Sequence, residues 1–168
     1  MNSVRFSPSD LHLRAASPGE KLLCWKRNFV SWGGKLSDLQ KYIGRELHLG
    51  SQAITGPERM IYWILSTLAT PAEAGKEDPE TILAACETLK RRSLVLTKDS
   101  ELVEGDYCYG VASVYTHPEL NGKGLGRVLM ERLAKWMDTE EADTHFSVLF
   151  SDVGKVITHT HIVYYSAY

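Results

Sequence analysis

The chain has few cysteines, little charge imbalance and no long apolar run, and each shortage excludes a class of protein. Cysteine occurs only 3 times in 168 residues, at the scattered positions Cys24, Cys86 and Cys108. An odd, dispersed set excludes a disulfide framework and is expected to be reduced, buried thiols. Neither sign of charge dominates: 19 Lys and Arg stand against 21 Asp and Glu, for a formal net charge of -2. Without a basic run, nucleic acid and anionic membranes are not expected partners. No apolar stretch approaches the ~20 residues of a membrane span, and residues 1–10 lack the apolar centre of a secretory signal. A cytoplasmic location is expected. Internal repeats and low-complexity segments are absent. What remains is a 43% hydrophobic chain long enough for one core and short for two domains.

The pattern along the chain predicts helix, helix, strand, strand, strand, helix, strand. Ser17, Pro18, Gly19 and Glu20 form a capping box with proline at the first helical position. Leu22, Leu23, Trp25, Phe29 and Val30 follow it, and Gly33 with Gly34 ends the helix. A second box at Ser37, Asp38, Leu39 and Gln40 opens a helix whose stripe is Leu39, Tyr42, Ile43 and Leu47. Residues 60–67 and 81–88 read as strands separated by a Pro/Glu/Gly loop over 71–79, with Leu94, Val95 and Leu96 extending or following the second. Residues 98–106 read as a charged loop, 139–144 as an acidic connector and 145–150 as the last strand. The fold class is α/β or α+β around one mixed sheet.

The most informative stretch joins a strand to a helix. From Tyr107 to Thr116 the chain alternates a bulky set (Tyr107, Tyr109, Val111, Ser113, Tyr115) with a small one (Cys108, Gly110, Ala112, Val114, Thr116). After it, Leu125, Val128, Leu129, Leu133, Trp136 and Met137 recur at helical spacing. Between them Asn121, Gly122, Lys123, Gly124, Leu125 and Gly126 leave the backbone bare where the helix starts. Unpaired amides and the positive end of the helix dipole suit a phosphate there. Lys123 is followed by Gly124 rather than Ser or Thr, so the Walker pattern fails. G-x-G-x-G also differs from the dinucleotide fingerprint.

Those six residues resemble the acetyl-CoA loop of the GNAT superfamily of N-acetyltransferases, written Arg/Gln-x-x-Gly-x-Gly/Ala, with Asn121 departing from the usual Arg or Gln. Residues 82–90, 109–119 and 146–154, with 32–37 and 42–46, resemble the fungal lysine N-acetyltransferase group within it. The resemblance implies a GNAT-like, mostly antiparallel mixed sheet flanked by helices, with acetyl-CoA as co-substrate and no metal. It implies an N-acetyltransferase acting on a small amine, with the side-chain amine of free lysine favoured. Val114, Tyr115, Thr116, Asn121, Gly122, Lys123, Gly124, Leu125 and Gly126 are the implied cofactor-binding residues.

Acetyl transfer to an amine needs a base, because an amine of pKa near ~10.4 is almost wholly protonated at pH 7. It also needs donors for the tetrahedral intermediate, which the resemblance implies are backbone N–H groups where strands 107–116 and 145–150 splay apart. Glu87, a carboxylate in a strand run, is the candidate base. His117 at the turn ranks below it, and Tyr107, Tyr109 and Tyr115 read as core or rim. The resemblance stops at Lys155, giving an incomplete domain over 1–155 and an atypical, β-prone, aromatic tail over 156–168. His159 and His161 in that tail lack a third ligand, so no metal is expected. The last helix and strands that would wall the acceptor site are missing, so a poor or inactive enzyme is expected. The alternative is a truncated, non-catalytic CoA-binding member.

Overall fold

In the computed structural model, residues 6–36, 38–52, 59–73, 75–96, 102–139, 144, 146–150 and 162–165 are described. Six strands and three helices follow the order β1 (His12–Ala15), α1 (Pro18–Trp32), α2 (Leu39–Ser51), β2 (Met60–Ser66), β3 (Ile82–Leu96), β4 (Leu102–Thr116), α3 (Leu125–Met137), β5 (Phe146–Phe150) and β6 (Ile162–Tyr165). They build one sheet in the order β1-β2-β3-β4-β5-β6. The first three pairings are antiparallel and the last two parallel. The α/β class expected from the sequence holds.

Local chemistry explains where the helices start. The Ser17 hydroxyl accepts from the Glu20 amide, and the Glu20 carboxylate accepts from the Ser17 amide, closing the first capping box. The second box is corrected: Asp38 is the N-cap, its carboxylate accepting from the amides of Gln40 and Lys41. A carboxylate on two amides also complements the helix dipole. Ser37 lies outside the described residues. The expected strands match the open end of the β3–β4 hairpin and fall short at its turn end. β3 continues to Leu96, and β4 begins at Leu102, within the stretch read as a charged loop. Cross-strand pairing from Leu96↔Leu102 to Ala84↔Thr116 outweighs the local loop composition there. β1 was missed because its four residues carry no clear alternation.

The sheet is covered on both faces. Trp63, Leu65, Leu83, Tyr109 and Val111 pack against Leu129, Met130 and Leu133 of α3. Tyr62, Ile64, Ile82 and Ala85 pack against Cys24 and Trp25 of α1 and Tyr42 and Ile43 of α2. Consecutive residues of β2 thus enter opposite cores, and burying each large apolar side chain contributes about 1.5–3 kcal/mol. Two stripe residues stay out: Val30 is 91% exposed and Leu47 59% exposed. In α1 the buried face runs through Glu20, Cys24 and Asn28, turning Val30 to solvent. No helix among the described residues is long and apolar enough to cross a membrane.

Glu20 also anchors α1 to the sheet. Its carboxylate takes a bidentate pair from Arg14 of β1 at 2.8 and 2.6 Å, and Arg14 Nε donates to the Leu68 carbonyl at 3.0 Å. Burial favours the neutral acid, but the Arg14 and Ser17 hydrogen bonds outweigh it and hold the Glu20 carboxyl below its usual value. A depressed carboxyl stabilises the fold above its unfolded pKa and loses that contribution as pH falls through its folded pKa. Glu20→Gln is expected to cost roughly 3–5 kcal/mol at neutral pH, since Arg14 is left buried without a counter-charge. Urea unfolding at pH 7 and pH 3 checks this, and the variant's deficit is expected to shrink at the lower pH.

Candidate active site

The site is organised by an irregularity in β4. Ala112 pairs with Glu87 and Tyr115 with Ala85, so Ser113 and Val114 together face Cys86 alone. This is a β-bulge, with Ser113 in the left-handed region at φ 55°. The extra residue reverses the face parity of the strand. Tyr109, Val111 and Val114 all lie toward the α3 core. Tyr115 turns to the opposite face, its ring edge-on to Trp32 at 5.9 Å and its hydroxyl donating to the Arg27 carbonyl at 3.2 Å. The unbroken bulky and small faces expected for 107–116 are therefore corrected beyond Ala112. The residue letters alternate straight through, leaving no signal from which the bulge could have been read.

The strands expected to splay, β4 and β5, share only a short ladder. β4 pairs in parallel with β5 only from Cys108↔Phe146 to Val111↔Leu149. Beyond Val111, no strand among the described residues covers the β5 side of β4. The bulge thus sits where the strand edge opens. A short 3-10 turn over Pro118–Leu120 then leads into the glycine turn. Gly122 and Gly124 have φ of 78° and 75°, which glycine adopts without the cost carried by other residues. Gly124 is the N-cap of α3 and supplies no side-chain acceptor. Its carbonyl takes the Val128 amide at 3.1 Å, leaving the amides of the first turn without that partner. A Cβ on Gly126 would stand 3.2 Å from Thr116 Oγ1, so β4 and α3 meet closely there.

Of the nine residues expected at the cofactor, Thr116 and Gly126 form the close approach of β4 and α3, and the other seven divide by role. Asn121, Gly122, Lys123 and Gly124 are exposed in the turn. Leu125 is buried in the core, Val114 packs against it, and Tyr115 points toward α1. What those three offer a ligand is backbone.

Glu87 lies on β3, on the α1–α2 face, and does not simply face solvent. Its Oε2 accepts from the bulged Ser113 hydroxyl at 3.1 Å. Burial raises its carboxyl above the usual value, and the negative charge of Glu46 adds to that. The Ser113 bond, the Lys21 charge and the nearby Trp25 indole partly offset the rise. His117 bonds through its backbone to the Leu83 carbonyl, toward the start of β3 and away from Glu87. Tyr109 is buried edge-on to Trp136, and Tyr107 lies under Lys90. Burial pushes the Cys24 thiol up to about 12 and raises Cys86, so neither is a thiolate at neutral pH. Sequence reasoning missed Glu46, Lys21, Trp25 and Tyr62 around Glu87, since they meet only through packing of α1 and α2 on the sheet. Among the described residues no group of three or more candidate ligands could hold a metal. His159 and His161 lie outside them.

Solved structures share this fold. The chain superposes on a predicted acetyltransferase from Clostridium acetobutylicum, solved with acetyl-CoA, at TM-score 0.52 and 17% identity, covering 88% of this chain and 85% of that one. A possible acetyltransferase from Clostridium difficile gives TM-score 0.53 and 13% identity, covering 87% and 82%. A transcriptional regulator from Bacillus halodurans gives 0.54 and 15%, covering 84% and 82%. The chain belongs to the acetyltransferase (GNAT) family, whose sequence model matches residues 58–155. That family comprises acetyl-CoA-dependent acetyltransferases. No protein with a curated description matches the chain.

The charges around Glu87 make a measurable statement. In a carboxyl-carbon NMR titration, Glu87 is expected to ionise above the ~4.3 of an unperturbed glutamate. Glu46→Gln removes a like charge and is expected to lower that midpoint, whereas Ser113→Ala removes a donor and is expected to raise it further.

Proposed function

We propose that the chain transfers the acetyl group of acetyl-CoA to a small amine, with the side-chain amine of free lysine as the favoured acceptor. The observation that carries this is the bulge at the open edge of β4, whose Ser113 holds Glu87 on one side while the strand leads to the α3 turn on the other. The acetyl-CoA present in the similarly folded Clostridium acetobutylicum protein supports the donor. Lysine rests on the resemblance of residues 82–90, 109–119 and 146–154 to the fungal lysine acetyltransferases. The unpaired thiols accord with a cytoplasmic setting.

In this reading the pyrophosphate lies on the amides of Gly122, Gly124, Leu125 and Gly126, since those of Asn121 and Lys123 are donated to the Pro118 and Leu120 carbonyls. Lys123 serves as a counter-charge, and the backbone of Val114, Tyr115 and Thr116 runs along the pantetheine arm. Glycine at 122 and 124 keeps the turn open, and no atom stands within 4 Å of where either Cβ would be. The acceptor arrives as an ammonium. Glu87, ionised, takes one proton, and the neutral amine attacks the thioester carbonyl. The carbon–sulfur bond breaks, CoA leaves as thiolate, and the amide nitrogen loses its second proton as the thiolate gains one. Free N–H groups on the splayed edge of β4 would bear the oxyanion, a contribution of about 2.7–4 kcal/mol per donor in comparable sites. The raised carboxyl makes Glu87 a stronger base than an ordinary glutamate. A second reading, a CoA-binding member without turnover, keeps the turn and dispenses with Glu87.

Acetyl-CoA is expected to raise the melting temperature, and Gly124→Asp to abolish that shift. Its carboxylate would sit beside the phosphates, and a side chain at φ 75° costs about 1–2 kcal/mol. Equal stabilisation of parent and variant would refute the loop assignment. Glu87→Gln is expected to lower kcat for lysine about 10²–10⁴-fold while keeping the acetyl-CoA melt shift. Thiol release at the parental rate would remove Glu87 from the mechanism, and a parent that binds CoA without thiol release would support the second reading.

A further inference from the structure

A cavity of about 280 Å³ opens between the first turns of α1, the last turns of α2 and the start of β2. Pro18 and Met60 give it apolar walls, and Lys21, Trp25, Glu46 and Tyr62 give it polar ones. Two of these are buried donors that make no well-formed hydrogen bond among the described residues: the indole Nε1 of Trp25, 6% exposed, which lies toward Glu87, and the hydroxyl of Tyr62, 1% exposed, which lies toward the Cys24 thiol. Leaving such groups unbonded costs free energy that a bound polar ligand would recover.

The charges lining the cavity are also incompletely used. Arg45 places two hydrogen bonds on Glu46 Oε1, at 3.0 and 2.7 Å, and no hydrogen bond among the described residues falls on Oε2. The Lys21 side chain makes no hydrogen bond or salt bridge among them and acts on Glu87 through space. A cation and an anion thus line one small cavity without a salt bridge between them, and Glu87 pairs across the sheet with Tyr62 of the cavity wall. A ligand carrying both charges satisfies both walls at once.

We propose that this cavity holds the zwitterionic end of an α-amino acid acceptor, with Lys21 meeting its carboxylate and Glu46 its α-ammonium. The side-chain amine then extends toward Glu87. This rests on the transferase reading and deepens it: Lys21 and Glu46 are specificity-determining residues that select a free amino acid over a plain amine. At about 280 Å³ the cavity has room for a small molecule and excludes a folded protein surface. Entry of the α-ammonium also relieves the repulsion between Glu46 and Glu87.

Calorimetric titration of the full chain, with and without CoA, uses three probes: L-lysine, 1,5-diaminopentane without the carboxylate, and 6-aminohexanoate without the α-ammonium. Lysine is expected to bind most tightly. Lys21→Met is expected to weaken lysine and 6-aminohexanoate about tenfold and spare diaminopentane, whereas Glu46→Gln weakens lysine and diaminopentane and spares 6-aminohexanoate. Circular dichroism melts confirm that each variant is folded. Equal binding of the three probes, no binding of any, or uniform weakening by both variants would overturn the proposal. Absence of lysine binding in a chain that CoA stabilises overturns the cavity alone. The expected pattern in a chain that CoA does not stabilise upholds the cavity and sinks the transferase reading.

Discussion

One extra residue in β4 governs the site. Because Ser113 and Val114 together oppose Cys86, side chains before and after that point exchange faces. Without it, Tyr115 would enter the α3 core, where Val114 now sits, and lose its bond to α1. The left-handed conformation of Ser113 costs on the order of 1–3 kcal/mol, which the pairing on either side must offset. Its hydroxyl lies against Glu87, so the strained position and that carboxylate are in contact. Backbone strain and an acid–base candidate thus coincide at the edge where β4 and β5 part.

The sheet separates two tasks. On one face α3 packs through Leu125, Leu129, Met130 and Leu133, which fixes the direction of its N-terminus and hence of the glycine turn. On the other, α1 and α2 gather Trp25, Tyr62, Glu46 and Lys21 about Glu87. β4 belongs to both, since its edge runs toward the turn and its bulge reaches the polar cluster. The Arg14–Glu20 pair ties the start of α1 to β1 and thereby sets one wall of the cavity, because Pro18 and Lys21 flank Glu20. A buried ion pair adds little net stability compared with apolar packing but strongly penalises any arrangement that separates it. Here that penalty acts on the position of a wall rather than on the core itself.

Much of this was legible in the chain. The first capping box, the α3 stripe, the strands of the β3–β4 hairpin and the glycine turn all depend on residues close together in sequence, and local chemistry is enough to define them. Asn121, Gly122, Gly124 and Gly126 announce a bare helix start because few side chains leave the backbone so open. The lengths of β3 and β4 were not legible, since a charged segment becomes strand only when a partner strand supplies its hydrogen bonds. Glu87 could be picked out as a carboxylate in a strand, but not the direction of its shift. That depends on Glu46, Lys21 and Trp25, contributed by two helices far away in sequence.

By itself the sequence determined the class of domain, the presence of a glycine turn before α3 and the acetyltransferase family to which the chain belongs. Only the tertiary structure decided the bulge, the reversal of face at Ser113 and the company Glu87 keeps. The physical reason is that alternation along a strand states which residues share a face only while the pairing register is unbroken. A register shift is set by the neighbouring strand, and a cavity by whichever elements pack around it, and neither is written in the order of residues along one segment.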